Sequence, residues 1–510
     1  MRHRWSRIAE RNAALITDPR SFSVFIVIVL ATAGTLRVAL FPGVGGDDGE
    51  QLVFSQFFAW GYQVRNPPLI TWLLIALQKV LGPTEISVVV LRMSILAGIY
   101  FVTLRLGQRL LDDQRLAPLG AGALLMIFYV AWNTIHGFSH STMVTFWYAV
   151  AVLMILRIAD NQSLLNFVLL GFVIGLGILT KYSFVVFLVS LIGAAVLDQH
   201  VRRALLSPAL ILSLLIAGAL LFPHAEWYLA NKPAGFIAAE RELAFGENLL
   251  RIAKGLLHMV VAAAGFLLPL WLLLLIVFRT SLRKPATSAA RSKPYLHLLE
   301  RTALFIFMFA IIGIVAVESD RIRTHYMFFL SLFPLYFFMR FGTRMRALDI
   351  RRFSALISLA GVVVVGGLVG KYMIEPLVCG HCEDHIPYDD FADQLRRAGF
   401  EQGTIYAFFH RDPLPGNLRT RFPESRTVSA KHPGAVPPRQ HKPAQCLIIW
   451  PVIGAVHPKS ATIRGANKVL KTNLPHNYPS KVITATLPPY GKRRHQLAFV
   501  LIPEGKGDCR

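Results

Sequence analysis

The sequence predicts a polytopic α-helical membrane protein that ends in a small α/β domain. Of its 510 residues, 54% are hydrophobic and only 16% are charged, more apolar sequence than a soluble core absorbs. Runs with at most one charge, such as 21–41, 257–278 and 353–370, reach or approach the roughly 20 residues a helix needs to cross a bilayer. Beyond residue 375 the composition turns polar and Pro-containing, with short alternating runs of the kind that form strands. Nothing resembles the ten-residue alternating segments of a membrane barrel.

The first apolar run follows Arg2, Arg4, Arg7, Arg11 and Arg20. It is too long for a signal peptide and has no clear small-residue cleavage site, so it reads as a retained anchor. The net charge of +24 would suit nucleic acid, but its distribution points elsewhere. Arg105, Arg109 and Arg115, then Arg202 and Arg203, then 279–301 and 340–352, lie in short loops between apolar runs, the positive-inside pattern of a membrane protein. The lipid bilayer is the expected partner and nucleic acid is not. With the N-terminus and these loops cytoplasmic, about eleven spans follow, near 22–41, 86–105, 116–134, 142–158, 163–180, 182–198, 204–223, 257–278, 302–318, 325–342 and 353–373. The arrangement closes only if 67–82, short and opening on Pro67-Pro68, lies along the membrane surface rather than across it. The chain then divides into a cytoplasmic N-terminus (1–21), a membrane domain (22–374) and an outer α/β domain (375–510).

In that last domain, strands are expected at 404–409, 446–452, 481–487 and 496–502, and an amphipathic helix at 389–398. All four cysteines, Cys379, Cys382, Cys446 and Cys509, lie there, consistent with an oxidising, periplasmic side. Cys379-Gly380-His381-Cys382 has the spacing of a thiol oxidoreductase motif but not its strand-then-helix setting, so a local structural disulfide or free thiols is the reading. Arg411, Arg419 and Arg421 make the domain basic, suited to anionic headgroups or an acidic polysaccharide.

Under this topology the unusual polar residues collect at the outer ends of the spans. The first outer loop reads Gly45-Gly46-Asp47-Asp48-Gly49-Glu50-Gln51. Clustered carboxylates repel and raise one another's pKa. They suit a general base, a divalent-cation ligand or both, or a solvated loop that caps a surface helix. Lys181, between two apolar runs, suits an anion or simple snorkelling to the interface. Arg92, near the outer end of its span, has the same two readings. Arg321, Arg323 and His325 precede another outer helix end and suit a phosphate, an acidic sugar or lipid headgroups.

The loop continues as Trp60-Gly61-Tyr62 and Arg65-Asn66-Pro67-Pro68-Leu69, with Trp72 beyond. With Leu179-Thr180-Lys181-Tyr182, Pro223, Trp227 and the Arg-containing segment before Tyr326, this order of motifs resembles the integral-membrane glycosyltransferases related to protein O-mannosyltransferases and lipid A aminoarabinose transferases. Over residues 20–345 the chain is similar in particular to bacterial enzymes that decorate lipopolysaccharide core or lipid A, including the rhizobial galacturonosyltransferases. The resemblance implies a GT-C fold in the cell inner membrane. Such an enzyme moves a sugar from a polyprenyl-phosphate carrier to a periplasmic acceptor such as a glycolipid or polysaccharide. It implies Asp47 or Asp48 as general base, with Glu50 supporting or coordinating metal. Counting back from Pro67-Pro68 favours Asp48 and counting back from Gly61-Tyr62 favours Asp47. Lys181, Arg92, Arg321, Arg323 and His325 are the expected phosphate and sugar ligands. Where many relatives carry an Asp before a Phe-Trp pair, this chain has His140 before Phe146-Trp147. That departure puts a two-carboxylate site in doubt and makes His140 a substrate-binding candidate. No cofactor follows with certainty, and a divalent metal is left open.

A transporter or flippase for lipid-linked sugar would share the topology and the ligand. It would also place charges at the midplane and show repeat symmetry, and neither is evident here. A polysaccharide-binding scaffold leaves the first-loop acids and Lys181 without a use.

Overall fold

The computed structural model describes residues 2–509 except 138, 232–248, 284–294, 321–323, 380–381, 409–412, 433, 440–443, 453–458 and 476. Among the described residues seven helices are long and apolar enough to cross a membrane: Pro19–Leu40, Glu85–Leu110, His140–Asp160, Leu210–Ala230, Leu249–Leu267, Leu296–Ala316 and Ala347–Val378. Several start where the sequence offers an N-cap. Asp18 accepts from the Ser21 amide at 2.8 Å, ahead of Pro19 in the first turn. Thr84 accepts from the Ser87 amide at 3.3 Å. Large side chains such as Val27, Ile28, Leu214, Leu215, Val362 and Val363 stand exposed on these helices, an apolar belt that only lipid can satisfy. The chain is a multi-pass membrane protein.

Four of the expected spans take a different form. Residues 116–134 hold only the helix Leu116–Gly122, a 3-10 turn Ala123–Met126 and, further on, the short helix Trp132–His136. The run 257–278 is broken at Pro269 into Leu249–Leu267 and Leu270–Leu282, because proline has no amide to donate. Phe184–Val196 meets Gln199–Leu205 at a 115° bend. The run 325–342 begins as a 3-10 segment, Thr324–Leu332, before Phe333–Phe341. Leu164–Thr180 is a shorter apolar helix, packed on Leu210–Ala230 where a Cβ on Gly171 would fall 2.7 Å from the Ser213 carbonyl oxygen. Glycine there lets two backbones approach closely. The run 67–82 holds the helix Leu69–Leu81.

The C-terminal region carries a five-stranded sheet of order β2-β1-β3-β5-β4, built from β1 Gly403–Ala407, β2 Arg426–Ser429, β3 Gln445–Pro451, β4 Lys481–Thr486 and β5 Arg494–Ile502. β1 pairs parallel with β2 and β3, and β5 runs antiparallel to β3 and β4. Alternation sorts the side chains. Ile405, Leu447, Ile449 and Phe499 pack under helices Tyr388–Arg397 and Pro413–Arg421, while Tyr406, Ile448, Trp450 and Val500 pack under Lys459–Leu470. Disulfides join Cys379 to Cys382 and Cys446 to Cys509. A buried polar knot ties this region to the first and last spans: Lys371 pairs with Asp384, Arg37 lies 3.6 Å from the same carboxylate, and Arg37 donates to the Gly43 carbonyl at 2.8 Å.

Candidate active site

The first-loop acids lie on one short helix, Gly46–Phe54. Its opening turn carries Asp47 and Asp48, where the helix dipole favours negative charge. Three-residue spacing puts Asp47 beside Glu50 on one face and Asp48 beside Gln51 on another. The two adjacent aspartates meet different surroundings. Asp48 is buried and ion-paired with the equally buried Arg92. Gly137, at φ +137°, folds over that pair, and a Cβ there would lie 3.7 Å from the Asp48 carboxylate. Asp47 is open to solvent with protein crowding its other sides. That crowding, with the negative charges of Glu50 and Asp48, raises its pKa to about 6 against the opposing pull of Arg65 and Lys431.

Glu50 is almost buried. Burial alone would raise its pKa, but the His432 ring donating at 3.0 Å and the Lys431 ammonium at 3.1 Å outweigh it and hold the carboxyl at about 2. Gln63 donates to its other oxygen at 2.6 Å. Gln51 starts a chain that crosses to the membrane helices. Its carbonyl accepts from Thr71 at 2.6 Å, and its amide donates to His140 Nε2 at 3.3 Å. His140 Nδ1 in turn donates to the Thr180 carbonyl at 3.2 Å. The Thr180 carbonyl can only accept, so the His140 proton sits on Nδ1 and both ring nitrogens are spent inside the protein. The next residue, Lys181, donates to Ser141 Oγ at 3.1 Å and lies 4.9 Å above the Tyr326 ring, half-buried at the end of Leu164–Thr180.

The structure thus gathers Asp47, Asp48, Glu50, Arg92, His140 and Lys181 at one end of the helix bundle. Arg92 and His140, expected to face a ligand, are instead buried among protein partners. Arg321 and Arg323 lie outside the described residues, as does the His325 side chain. Among the described residues no group of three His, Cys, Asp or Glu side chains is arranged to hold a metal ion. Two of the three first-loop carboxylates are neutralised by the protein's own cations.

Lys431 and His432 went unnoticed in the sequence, which carries no local pattern around them. Arg419 and Arg421 also depart from the surface role expected of them. Arg419 is buried, and its guanidinium bonds the Leu52 carbonyl, Ser55 Oγ at 2.7 Å, the Ser55 carbonyl at 3.2 Å and Gln78 Oε1 at 3.1 Å. Burial lowers its pKa to about 9. Arg421 pairs with Glu85 and with Asp389 at 3.1 Å. Both spend their charge within the protein rather than on headgroups or polysaccharide, and Arg411 lies outside the described residues. The Trp60-Gly61-Tyr62 motif is a packing device. Gly61 leaves room for the Trp227 ring, and Tyr62 donates to the Phe57 carbonyl at 2.7 Å.

Residues 65–227 match the family model described as dolichyl-phosphate-mannose-protein mannosyltransferase. Over most of its length the chain superposes on two crystal structures of ArnT from Cupriavidus metallidurans, one bound to undecaprenyl phosphate and one in the apo state. Each has a TM-score of 0.58 and covers 93% of this chain and 97% of ArnT. At 12% and 13% identity these likenesses show the fold, GT-C. Fold and family match together liken the chain to the GT-C integral-membrane glycosyltransferases. Two lipopolysaccharide core galacturonosyltransferases of Rhizobium johnstonii, RgtA and RgtB, are similar along most of their length. Each is 26% identical and matches 81% of this chain, with 83% of RgtA and 84% of RgtB covered.

Proposed function

We propose that the chain transfers a sugar from a polyprenyl-phosphate carrier to a lipopolysaccharide core or lipid A acceptor on the periplasmic face of the inner membrane. Asp47 acts as general base. The observation that carries this reading is the contrast between neighbours: Asp48 is locked to Arg92, while Asp47 stands open to solvent with its pKa raised to about 6. Asp47 takes the proton of the acceptor hydroxyl as that oxygen attacks the anomeric carbon. The bond from carbon to phosphate oxygen breaks, and the lipid phosphate leaves carrying the electron pair and negative charge. Lys181 stabilises that charge. Asp48 holds the loop helix in place through Arg92 and touches no substrate.

The orientation is supported by helix Glu85–Leu110, which runs from Glu85, bonded to Arg421 of the disulfide-bearing domain, to Arg105 and Arg109 at its other end. The acids and the disulfides thus lie at one end and the basic loops at the other. The names of RgtA and RgtB support lipopolysaccharide core as acceptor and galacturonic acid as the sugar to test first, and ArnT with undecaprenyl phosphate supports the carrier.

The test uses the full chain in liposomes with radiolabelled polyprenyl-phosphate galacturonic acid and purified core acceptor. Label transferred to the acceptor with release of lipid phosphate supports the reading. Label that crosses the bilayer still attached to its lipid, with none transferred, replaces it with the flippase reading. Two further results are expected in this assay. Lys181→Ala raises the donor KM by about tenfold to a hundredfold, the range for one lost charge-assisted contact, and also lowers kcat; an unchanged KM removes the phosphate role. The profile of kcat/KM against pH falls on its acid side with a midpoint near 6, because a carboxyl protonated below its pKa of about 6 cannot accept the acceptor's proton. A flat profile between pH 5 and pH 7 removes Asp47 as the base.

A further inference from the structure

The C-terminal region grips the loop helix along its whole length. At the N-terminal end, Asn417 accepts from the Val44 amide at 2.8 Å and donates to the Val44 carbonyl at 3.0 Å. In the middle, a Cβ on Gly416 would overlap the backbone of Gly49, so the helix Pro413–Arg421 crosses with no side chain between. At the C-terminal end, Arg419 caps the Leu52 and Ser55 carbonyls, a favourable place for a cation. Just beyond, the Gln56 side chain joins strand β2 like a backbone group. It accepts from the Thr427 amide at 2.7 Å and donates to the Thr427 carbonyl at 2.8 Å.

The turn after β2 then delivers Lys431 and His432 onto Glu50. Its shape is set by Ser429, which accepts from the Lys431 amide through its hydroxyl at 3.2 Å and from the His432 amide through its carbonyl at 3.2 Å. The His432 ring packs edge-on against Phe54, 5.0 Å between centres. Nothing in the transfer chemistry as written requires these contacts, yet they place two cationic or donor groups on the carboxylate beside Asp47.

We propose that the C-terminal domain completes the active site, with Lys431 and His432 acting as positioning residues that hold Glu50 in place beside the base Asp47; this rests on the reading of Asp47 above. Asp47 faces Glu50 and Asp48 on its own helix, Arg65 on the following loop and Lys431 on the C-terminal domain. Glu50 faces His432 and Lys431. Held ionised, Glu50 keeps Asp47 a stronger base than an isolated carboxylate. Released from its partners in a buried place, Glu50 takes up a proton, its charge disappears, and Asp47 becomes weaker.

The experiment compares transfer by the full-length wild type, His432→Ala, Lys431→Ala, His432→Gln and Glu50→Gln in liposomes, across pH. In His432→Ala and Lys431→Ala, kcat is expected to fall about tenfold and the donor and acceptor KM to stay within about twofold; in His432→Ala the acid limb also moves to lower pH, while in Lys431→Ala the loss of the lysine's own pull on Asp47 opposes that shift. Glu50→Gln is expected to move the limb the same way, and serves if His432→Ala does not fold. His432→Gln, which keeps a donor to Glu50, is expected to recover most of the rate. Limbs of His432→Ala and Glu50→Gln that stay with the wild type, or losses confined to the acceptor KM, overturn the proposal, the second by showing direct acceptor contact. The wild-type arm alone tests the transferase reading, and the ratio of variant to wild type tests this one.

Discussion

Asp47→Asn is expected to lower kcat by about 10²–10⁴-fold, the span attributed to a positioned base, with the donor KM close to wild type. The amide keeps the size and the helix-start position of the carboxylate but cannot take a proton. No hydrogen bond or ion pair engages the Asp47 side chain among the described residues, so folding loses little, and the variant is expected to purify and melt like the wild type. Asp48→Asn is expected to behave in the opposite way, with damage to stability that exceeds any change in the rate of the folded fraction. This pair of measurements separates the two residues that sequence landmarks leave one position apart. A folded, stable Asp48→Asn that has lost transfer, beside an active Asp47→Asn, would reverse the assignment.

The second large effect concerns Arg92. Arg92→Met keeps the length of the side chain while removing the charge opposite Asp48, and is expected to cost about 3–5 kcal/mol, because a buried carboxylate loses the guanidinium it is paired with. Among the described residues the Nε and Nη2 atoms of Arg92 are buried without a hydrogen-bond partner, so the pair is not an optimised stabiliser. The double variant Arg92→Met/Asp48→Leu should therefore recover most of the loss. Thermal unfolding of the detergent-solubilised protein reads both. If the double variant is as unstable as the single one, the ion pair does not account for the cost.

Much of the architecture was legible because membrane helices announce themselves by length and apolarity. Pro19–Leu40 and Glu85–Leu110 were located to within a few residues, and 67–82 holds the helix Leu69–Leu81. The breaks at Pro269 and in Thr324–Leu332 were harder to read, since an apolar run looks the same whether its backbone is one helix or two. In the C-terminal region, the two-residue alternation revealed the strands near 404, 446, 481 and 496. The short β2 had too few residues to alternate. In the candidate site, the first-loop acids and Lys181 were legible as polar groups that an interface does not need. The partners of Glu50 were not. They lie 381 and 382 residues away, and one sequence holds no record of contacts across such a separation. Arg419 misled for a related reason: arginine is seldom buried, and only the carbonyls at the end of Gly46–Phe54 explain why this one is. The glycine at 416 was the one local hint that another backbone comes close.

The grip of Asn417 on Val44 joins groups 373 residues apart in the chain. At synthesis rates of 5–20 residues per second, the loop helix emerges roughly 20–75 s before the residue that fastens it. During that interval the membrane already holds most of the helix bundle, Asp47 included, but not the domain that seats the loop. On the proposed reading, a chain still short of Asn417 and Lys431 has its base in place but lacks the contacts that seat the loop helix carrying it.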